Sequence, residues 1–519
     1  MEAATQTGTD WRRYATPAAV FALVLVPLVL NLAISRFTDS DGFYHIRHAS
    51  LYLEHGPLWQ EFPWLTKSVI GERGADIWYG FHLALALFSL IPDPMLSLRV
   101  AQAACLSFLL LCVYFVCRRN ALPAPAAWPL ILLCATPLQA WRWLALRPYF
   151  LSLGLGVLAL HFVCSRRPWA AAVCALLISF THSAFFWLAP AVALAALLAE
   201  LAKTRRVLWR EFLAVTLAAG LGLFLRPDAI DALAVLKVQL IDHSAAVRQG
   251  LPLAYANEVP PLTWGDVGSG YTPILAIWLL LGLPAMAIRG MPPAGIASLA
   301  LSGAFFVAAL TMSFRAVEVW LVFGALGMGF GMKALAEHYL APRAERVRSM
   351  LPPTLAAASV LGLGAWTIPW TIGWIEYRGL NVFRFEKAMA WLKENSPKDS
   401  VVYHPDWAYF GEMFFWNTHN RYITGMDPIF LYTYDKRLYW KHHRLESDRM
   451  TRQTSGAGPG EPPALEETYT VLTRDFGAQY IFVDAAAHMR FFGYVQQDAR
   501  YREVFRDGDV AVFMMAVEN

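Results

Sequence analysis

Long uninterrupted apolar runs constrain this chain more than any other feature of its sequence. Clear examples are Ala15 to Ile34, Val100 to Val116 and Leu351 to Trp374. A helix needs about 17–25 mostly apolar residues to cross the hydrocarbon core of a bilayer. Only 16% of the residues are charged, whereas soluble domains carry about 25%. One large soluble core is therefore excluded, and the chain is predicted to cross a membrane many times.

Basic clusters predict the orientation of these crossings, because arginine and lysine accumulate in cytoplasmic loops. The clusters are Arg12–Arg13, Arg118–Arg119, Arg166–Arg167, Lys203 to Arg206, Arg289 and Lys333 to Arg348. An arrangement of about eleven spans places them all in the cytoplasm, with spans at 15–35, 97–117, 123–139, 148–164, 168–181, 183–201, 209–225, 271–288, 293–312, 316–335 and 351–374. The first span lacks a small-x-small cleavage site and is predicted to be retained. An odd number of spans places the C-terminal region on the outer side.

The segment Trp78 to Ile91 is apolar but only about 14 residues long, which is short for a span. Counting it as a span would also move the later basic clusters to the wrong side. It is therefore predicted to be an amphipathic helix at the outer interface, with Trp78, Tyr79 and His82 near the headgroups.

The chain after about residue 380 reads as a different kind of structure. Phe383 to Asn395 has helical apolar spacing, and Val401–Tyr403, Tyr480–Val483 and Val510–Phe513 read as strands. The predicted fold class is an α-helical polytopic membrane protein with a small C-terminal α/β soluble domain. Its predicted domains are a transmembrane domain at 1–378, with outer loops 36–95 and 226–270, and an outer-side domain at 379–519.

Charge and cysteine usage narrow the class further. The net charge of +4 is divided among loops, so no nucleic-acid partner is expected. The six cysteines lie in or beside apolar runs. They are predicted to be buried apolar side chains, not a disulfide framework.

The first outer loop carries the most informative motif, Thr38-Asp-Ser-Asp-Gly-Phe-Tyr-His-Ile-Arg47. Asp39 and Asp41 could share a divalent cation through oxygen ligands, or one of them could act as a general base. The neighbouring aromatics suit sugar faces, and His45 and Arg47 suit phosphate. From the residues alone, a solvated cap at the end of a span is an equally good interpretation.

The stretch Asp39-Ser-Asp-Gly-Phe-Tyr-His-Ile-Arg47 resembles the first outer loop of the oligosaccharyltransferase catalytic subunit. The chain after it is similar too, in the helix Ala49 to Gly56, the aromatic loop Trp59 to Trp64 and the segment Asp76-Ile-Trp-Tyr. The entry to the C-terminal region, Ala390 to Val402, also resembles that family. The resemblance implies a GT-C glycosyltransferase, which takes a sugar from a polyprenyl-phosphate or polyprenyl-diphosphate carrier.

That resemblance implies roles for individual residues. Asp41 and Asp39 are the expected catalytic residues and the expected ligands of a divalent cation, Mg²⁺ or Mn²⁺. His45, Arg47 and Asp76 are expected to bind substrate. The expected partners are a polyprenyl-linked sugar donor, membrane lipid and an acceptor that is a protein, a glycan or a lipid.

Two departures separate the chain from that family. Where the family has an acceptor motif of two Trp, Asp, Tyr and Gly, this chain reads His404 to Tyr409. The second outer loop, Gln139 to Pro148, lacks the acids that the family uses for metal. A metal-free site with Asp41 alone is therefore the alternative. The Arg-Pro-aromatic step in this loop resembles uncharacterised bacterial GT-C proteins.

Arginines at the outer end of the spans are further candidates, because charges near a bilayer are costly and tend to be functional. Arg147 and Arg315 are predicted to bind the carrier phosphate, since a guanidinium suits bidentate phosphate contact. The alternative is snorkelling, or an Arg315–Glu318 pair. Other polar residues are expected to be mainly structural or solvated: His182, the turn Tyr422 to Pro428, and Asp228, Asp231, Asp242, His243 and Glu258.

The sequence thus predicts an inverting glycosyltransferase in the inner (plasma) membrane, with its C-terminal domain on the periplasmic or extracellular side. A transporter or flippase for a lipid-linked precursor is one alternative. Such proteins carry charges inside their spans, whereas these spans are nearly free of charge. A non-catalytic scaffold of an envelope assembly is the other alternative, and it would tolerate the loss of Asp41.

Overall fold

The structure is a computed structural model that describes residues 12–256, 258–341, 343 and 345–516. From residue 12 to residue 378 the described chain is mainly helical. Its α-helices are α1 (Arg12–Ala33), α2 (Asp41–His55), α3 (Val69–Arg73), α4 (Tyr79–Ala86), α5 (Pro94–Arg119), α6 (Ala127–Leu133), α7 (Pro137–Trp143), α8 (Tyr149–Cys164), α9 (Pro168–Thr181), α10 (Leu188–Thr204), α11 (Trp209–Phe224), α12 (Ala229–Lys237), α13 (His243–Arg248), α14 (Trp264–Asp266), α15 (Thr272–Met286), α16 (Pro293–Thr311), α17 (Ala316–Tyr339) and α18 (Glu345–Arg378).

Among the described residues, seven helices are long and apolar enough to cross a membrane, and eight if one bent pair counts as a single span. The bent pair joins residues 209–224 to residues 229–248 at an angle of 106°. Shorter apolar helices cover Tyr79–Leu90, Tyr149–Cys164 and Pro168–Thr181. The chain is a multi-pass membrane protein, and the total of about eleven spans stays a prediction.

The predicted span at 123–139 is not one continuous helix. The structure has two seven-residue helices there, α6 and α7. Pro137 has no N–H to continue the ladder of α6, and the Thr136 side chain accepts from the backbone of Leu138 to begin α7. Helix α7 therefore contains the first half of the predicted second outer loop, Gln139 to Trp143.

The basic ends of several helices contact one another. The Lys203 ammonium donates to the Arg289 carbonyl over 2.9 Å, and the Lys333 ammonium donates to the Asn120 carbonyl over 2.9 Å. Arg166 pairs with Glu200 at 3.0 Å. Segments assigned to one side of the membrane from their charge therefore meet at one end of the helical bundle.

The segment between α1 and α5 leaves and re-enters the bundle at the same end. Arg99, near the start of α5, donates to the Ile34 carbonyl at the exit of α1 over 2.6 Å. The short helix α4 lies between these points and packs on α2 and α9. A single membrane crossing by α4 is therefore incompatible with this arrangement.

The expectation that Trp78, Tyr79 and His82 lie near the headgroups is wrong. Their exposed fractions are 7%, 7% and 0%. Trp78 packs edge-on against Tyr44 of α2, and Tyr79 packs edge-on against Phe180 of α9. The three rings lie in the interior between helices, where their apolar surface is in contact with neither lipid nor water.

The chain after residue 385 combines helices with strands. The α-helices are α19 (Glu386–Asn395), α20 (Phe410–Trp416), α21 (Pro428–Tyr434), α22 (Lys436–Glu446), α23 (Thr468–Thr470) and α24 (Met489–Gln497). The strands are β1 (Val401–Tyr403), β2 (Arg421–Tyr422), β3 (Gln453–Thr454), β4 (Glu466–Glu467), β5 (Tyr480–Asp484), β6 (Tyr501–Asp507) and β7 (Val510–Met515). The predicted strands are confirmed as β1, β5 and β7.

The main sheet has the order β2-β1-β5-β7-β6. Strand β1 pairs in parallel with β2 and β5, and β7 pairs antiparallel with β5 and β6. Strands β3 and β4 form a separate antiparallel pair. The central strand β5 is buried along most of its length, as its run of apolar residues requires.

The edge of this sheet is covered by the first outer loop. The Thr66 N–H donates to the Tyr422 carbonyl over 2.8 Å, and the Tyr422 N–H donates to the Trp64 carbonyl over 2.7 Å. Helix α20 packs on α2, where Phe415 lies against Phe43 with ring centroids 5.3 Å apart. These contacts hold α2 between the membrane helices and the C-terminal region.

Candidate functional site

The two carboxylates of the first outer loop meet one arginine of the second outer loop. Asp41 is the first residue of α2, and its backbone N–H donates to Asp39 Oδ1 over 2.9 Å. Arg147, in the loop between α7 and α8, binds Asp41 Oδ2 through Nη1. Its Nε lies 3.3 Å from Asp39 Oδ2. One guanidinium therefore bridges both acids, and Asp39 also orients the start of α2.

A second ionic network lies beside the first. Arg142 is 3% exposed and binds both Glu258 and Glu318. Arg315 also binds Glu258, with Nη2 2.6 Å from Oε1. The Arg315–Glu318 pair that the sequence allowed is not formed. Arg315 binds Glu258 instead, and Glu318 binds Arg142.

A cavity of about 510 Å³ opens between these networks. Its lining comes from both outer loops, the segment before α14, the start of α17 and the C-terminal region. The residues that carry charge there are Asp39, Asp41, Arg147, Glu258, Asp266, Arg315 and Asp427. Trp141, Phe314, Trp407 and Met426 add apolar and aromatic surface. The structure thus brings Asp39, Asp41, Arg147 and Arg315 to one cavity.

A smaller cavity of about 110 Å³ shares several walls with the first, among them Asp41, Arg147 and Arg315. His45 lies there, one turn along α2 from Asp41, and so does His182. His182 also hydrogen-bonds Ser152, with Nδ1 and Oγ 3.2 Å apart. His45 and His182 are therefore placed beside the candidate carboxylate, although His182 read as structural in the sequence.

Asp76 reaches this region only through other side chains. His45 Nδ1 lies 2.8 Å from His82 Nε2, and His82 Nδ1 lies 2.6 Å from Asp76 Oδ2. Burial raises the pKa of Asp76, but His82 and His48 outweigh it and hold the pKa well below its usual range. Asp76 thus lies at the far end of an Asp–His–His chain, and does not itself line the large cavity.

Arg47 points elsewhere. Its guanidinium binds Glu54 and Ser50, each over 2.8 Å, and Thr418 over 3.0 Å. It lines a separate groove of about 410 Å³. A substrate-binding role for Arg47 has no support in this geometry, which instead ties α2 to the chain after α20.

The environment of Asp41 suits a group that accepts a proton near neutral pH. Burial, the largest influence, raises the pKa of Asp41 to about 6, although Arg147 acts in the opposite direction. A base with a pKa close to the working pH is effective in proton transfer. For Glu258 burial also raises the pKa, but Arg142 and Arg315 outweigh it and hold the pKa well below its usual range.

Glu258 and Asp427 belong to the site although the sequence placed them among solvated or turn residues. The Glu258 side chain is 11% exposed and binds two arginines. Asp427 caps α21, and its Oδ2 lies 3.9 Å from His243 Nε2. Only the folded chain shows these placements, because their partners lie far away in sequence.

Two places bear on the expected divalent cation. At Asp39 and Asp41, the guanidinium of Arg147 lies between the carboxylates, so a cation bound by both would compete with it, and that ligation stays a prediction. Elsewhere, His48, Asp76 and His82 form the group of three potential metal-ligating side chains found among the described residues.

No protein-family model matches this chain, and no curated protein matches it. Several solved structures do. ArnT from Cupriavidus metallidurans in the apo state is 14% identical, with a TM-score of 0.56 over 97% of this chain and 98% of its own. ArnT from the same organism bound to undecaprenyl phosphate is also 14% identical, with a TM-score of 0.56 over 96% of this chain and 97% of its own. The arabinofuranosyltransferase AftD from Mycobacteria is 14% identical, with a TM-score of 0.54 over 98% of this chain and 42% of its own.

At this level of identity the likeness shows the fold. It extends over nearly the whole chain, including the membrane helices and the C-terminal region. The chain has the same overall fold as ArnT.

Proposed function

We propose that this protein transfers a sugar or oligosaccharide from a polyprenyl-phosphate or polyprenyl-diphosphate carrier to an acceptor at the outer face of the membrane. The observation that carries the proposal is the convergence of Asp41, Arg147 and Arg315 on one cavity. The fold shared with ArnT, which has been solved with undecaprenyl phosphate, adds support for a lipid-phosphate ligand.

Arg147 and Arg315 are the proposed ligands of the carrier phosphate. Both guanidiniums line the large cavity, and Arg315 is the more accessible, with 42% of its side chain exposed. A planar guanidinium can donate two parallel hydrogen bonds to phosphate oxygens. Fixed positive charge beside the leaving phosphate stabilises the negative charge that develops there during transfer.

Phosphate binding would raise the pKa of the Asp41 carboxylate. In the structure Arg147 is shared by Asp39 and Asp41, so a phosphate would compete with both for the guanidinium. Asp41 would lose part of the contact that lowers its pKa. The donor would thereby make Asp41 a stronger base at the moment when its sugar is in place.

The proposed step is an inverting displacement. The acceptor atom attacks the anomeric carbon of the sugar, and the bond from that carbon to the phosphate oxygen breaks. The bonding electrons leave with the polyprenyl phosphate or diphosphate, next to Arg147 and Arg315. The proton of the acceptor passes to the Asp41 carboxylate. Asp39 positions the start of α2 through its bond to the Asp41 N–H.

The proposal has two alternatives at Asp39 and Asp41. In one, Arg147 alone bridges the two carboxylates, and in the other a divalent cation binds them. Mg²⁺ or Mn²⁺ would take oxygen ligands from the two carboxylates. A chelator would then abolish transfer, and Asp39→Asn would be as damaging as Asp41→Asn. With Arg147 bridging alone, a chelator has no effect on transfer and Asp39→Asn is the milder change.

The proposed location is the inner (plasma) membrane, with the cavity and the C-terminal domain at 379–519 on the periplasmic or extracellular side. The basic ends that meet at the other end of the bundle support this orientation. The acceptor is a protein, a glycan or a lipid.

Binding of undecaprenyl phosphate to the purified protein tests the arginine roles. Arg315→Ala and Arg147→Ala should each weaken binding at least about tenfold, since a hydrogen bond to a charged group contributes about 1.5–3 kcal/mol. Arg47→Ala is the matched control, because Arg47 lies at the same outer end but lines another groove. Unchanged affinity in both cavity variants, with folding intact, would remove the arginines from the donor site.

A further inference from the structure

The small cavity beside Asp41 has polar walls that the proposed transfer step does not use. Gln239 and Asp427 line it, together with Arg147 and Arg315. Gln239 lies in the segment between α11 and α15, and Asp427 lies directly before α21 of the C-terminal region. Two parts of the chain beyond the first two outer loops therefore bring polar groups to the same small space.

Gln239 lies where the helical backbone is irregular. Residues Val238–Asp242 form a π-helical turn between α12 and α13, and such turns are rare but frequent at functional sites. Gln239 Oε1 is buried and has no hydrogen-bond partner among the described residues. Buried polar atoms nearly always have a partner in folded proteins, so this amide is suited to bind a polar ligand.

Asp427 is fixed in the wall of the cavity by the turn before α21. Its Oδ1 accepts from the Ile429 N–H over 3.0 Å. The preceding residue, Met426, lines both cavities and has a left-handed backbone with a φ of 69°. This conformation is uncommon outside glycine, and residues that adopt it cluster at ligand sites. One oxygen of Asp427 thus holds the helix, and the other is available to a ligand.

Two more polar groups beside Asp427 lack partners among the described residues. They are His243 Nε2 and the Tyr255 hydroxyl, both buried. His243 Nε2 lies 3.9 Å from Asp427 Oδ2, which is too far for a hydrogen bond. Tyr255 packs edge-on against His243, with ring centroids 5.2 Å apart. This part of the site therefore has more hydrogen-bonding capacity than the protein itself uses.

The size and the apolar walls of the small cavity match one sugar unit. Its volume is about 110 Å³. At about 10–15 Å³ for each water-sized group, it holds on the order of ten non-hydrogen atoms, about the number in a pentose or hexose unit. Ligand pockets usually combine apolar and aromatic walls with a few polar groups, and the rings that line this cavity belong to Trp78, Tyr149, Phe185 and Phe430.

We propose that the small cavity holds the sugar unit bonded to the carrier phosphate, and that Asp427 and Gln239 recognise its hydroxyl groups. The inference rests on the proposed function, in which Arg147 and Arg315 bind the phosphate. Both arginines line both cavities, so a phosphate between them places its sugar in the small cavity and its polyprenyl chain in the large one. The Asp427 carboxylate accepts from sugar hydroxyls, and the Gln239 amide both donates and accepts.

Carriers with and without a sugar test the proposal on the full-length protein in detergent. The probes are undecaprenyl phosphate and its glucosyl, galactosyl, mannosyl and arabinosyl derivatives. We expect the wild type to bind at least one derivative at least about tenfold more tightly than undecaprenyl phosphate, because the sugar adds hydrogen bonds to a charged group. Wild-type protein that binds all four derivatives no more tightly than undecaprenyl phosphate would contradict the proposal, and that result needs no variant to fold.

Two variants assign the gain in affinity to single residues. Asp427→Ser keeps an oxygen that can cap α21 but removes the oxygen that meets the sugar, so we expect most of the tenfold gain to be lost. Gln239→Ala should lose part of the gain. Both variants should bind undecaprenyl phosphate like the wild type. Asp435→Ser is the matched control, because the exposed Asp435 caps α22 in the same way and lines neither cavity.

Two results with the variants would overturn the proposal. One is an Asp427→Ser protein that keeps the full gain in affinity for the sugar-linked lipid. The other is a variant that loses transfer but binds that lipid like the wild type, which would place Asp427 at the acceptor instead. Failure of the proposed function differs from both, because undecaprenyl phosphate itself would then bind independently of Arg147 and Arg315.

Discussion

Asp39 and Asp41 lie two residues apart yet hold different positions in the site. Asp41 begins α2 and faces both cavities. Asp39 precedes the helix and uses one oxygen to hold the Asp41 N–H, while the other faces Arg147. The spacing predicted that these acids act together. Their positions differ because α2 begins at Asp41, which leaves Asp39 in the loop before the helix.

Glu258 is predicted to contribute strongly to stability. Glu258→Gln removes a charge that compensates the buried Arg142 and also binds Arg315. Breaking a buried ion pair by removing one partner costs about 3–5 kcal/mol, and we expect a loss of about 3 kcal/mol because Glu318 still binds Arg142. Unfolding of the detergent-solubilised protein measures the change.

The control for that experiment is Glu54→Gln. Glu54 pairs with Arg47 at the surface, where 45% of the Glu54 side chain is exposed. Exposed ion pairs contribute about 0–1 kcal/mol, so the unfolding of this variant should match the wild type closely. Equal unfolding behaviour of Glu258→Gln and Glu54→Gln would contradict the assignment of Glu258 as the buried centre of the network.

The sequence could predict the acids beside the first span, but not Glu258. Asp39, Asp41 and His45 lie within seven consecutive residues, so they can be recognised as one local motif. Glu258 is separated from Arg142 by 116 residues and from Arg315 by 57. In the sequence it is one acid among several in a long loop, and no local pattern distinguishes it from the others.

At the scale of elements, one glycine determines how closely α20 approaches α2. A Cβ added at Gly411 would lie 2.4 Å from the Ser40 carbonyl oxygen, directly before Asp41. Gly411→Ala must therefore push α20 away from α2 or shift the start of α2. Such overpacking costs about 1–3 kcal/mol.

We expect Gly411→Ala to fold and to lose transfer roughly 10- to 100-fold, because a displacement of about 1 Å in an active site can be that costly. The measurement is the transfer rate at equal amounts of folded protein. Gly493→Ala in α24 is the control, since an added Cβ meets nothing within 4 Å there. Full transfer by Gly411→Ala would show that the α2–α20 contact does not position Asp41.

Element prediction succeeded where the pattern was local and strong. Strands β1, β5 and β7 coincide with apolar runs, and α19 matches the helical spacing before Asn395. Strand β6 was missed because it lies at the sheet edge with most of its side chains partly or fully exposed. The span at 123–139 was predicted as continuous because its hydropathy hides the break at Pro137.

At the scale of the whole molecule, the basic clusters and the site lie at opposite ends of the bundle. Reporter fusions after Arg119, Arg206 and Arg346 should therefore report the cytoplasm, and fusions after Gly56 and Asp266 should report the outer side. The physical reason is retention of positive charge in the cytoplasm. An outer-side signal at Arg119 would contradict the contact between Arg99 and the exit of α1.

The overall architecture could be predicted because membrane spans leave a strong hydropathy signal and their ends carry charge. The inward position of α4 could not, because a short apolar helix suits the headgroups as well as a protein interior. Trp78 and His82 are buried because α2 and α9 pack against α4 and its first residues. Burial of that kind is a property of the packed molecule.

Transfer by Asp41→Asn is the most direct test of the central claim, that Asp41 is the base of a sugar transfer. Asparagine keeps the size of the side chain and its turn-forming hydrogen bonds, but it cannot accept the proton. General base catalysis contributes about 10²–10⁴-fold. We therefore predict a normally expressed, membrane-inserted variant whose transfer from a polyprenyl-linked donor falls at least about 100-fold. Transfer close to the wild-type rate, in protein that still binds undecaprenyl phosphate, would contradict the account and favour a flippase or a scaffold.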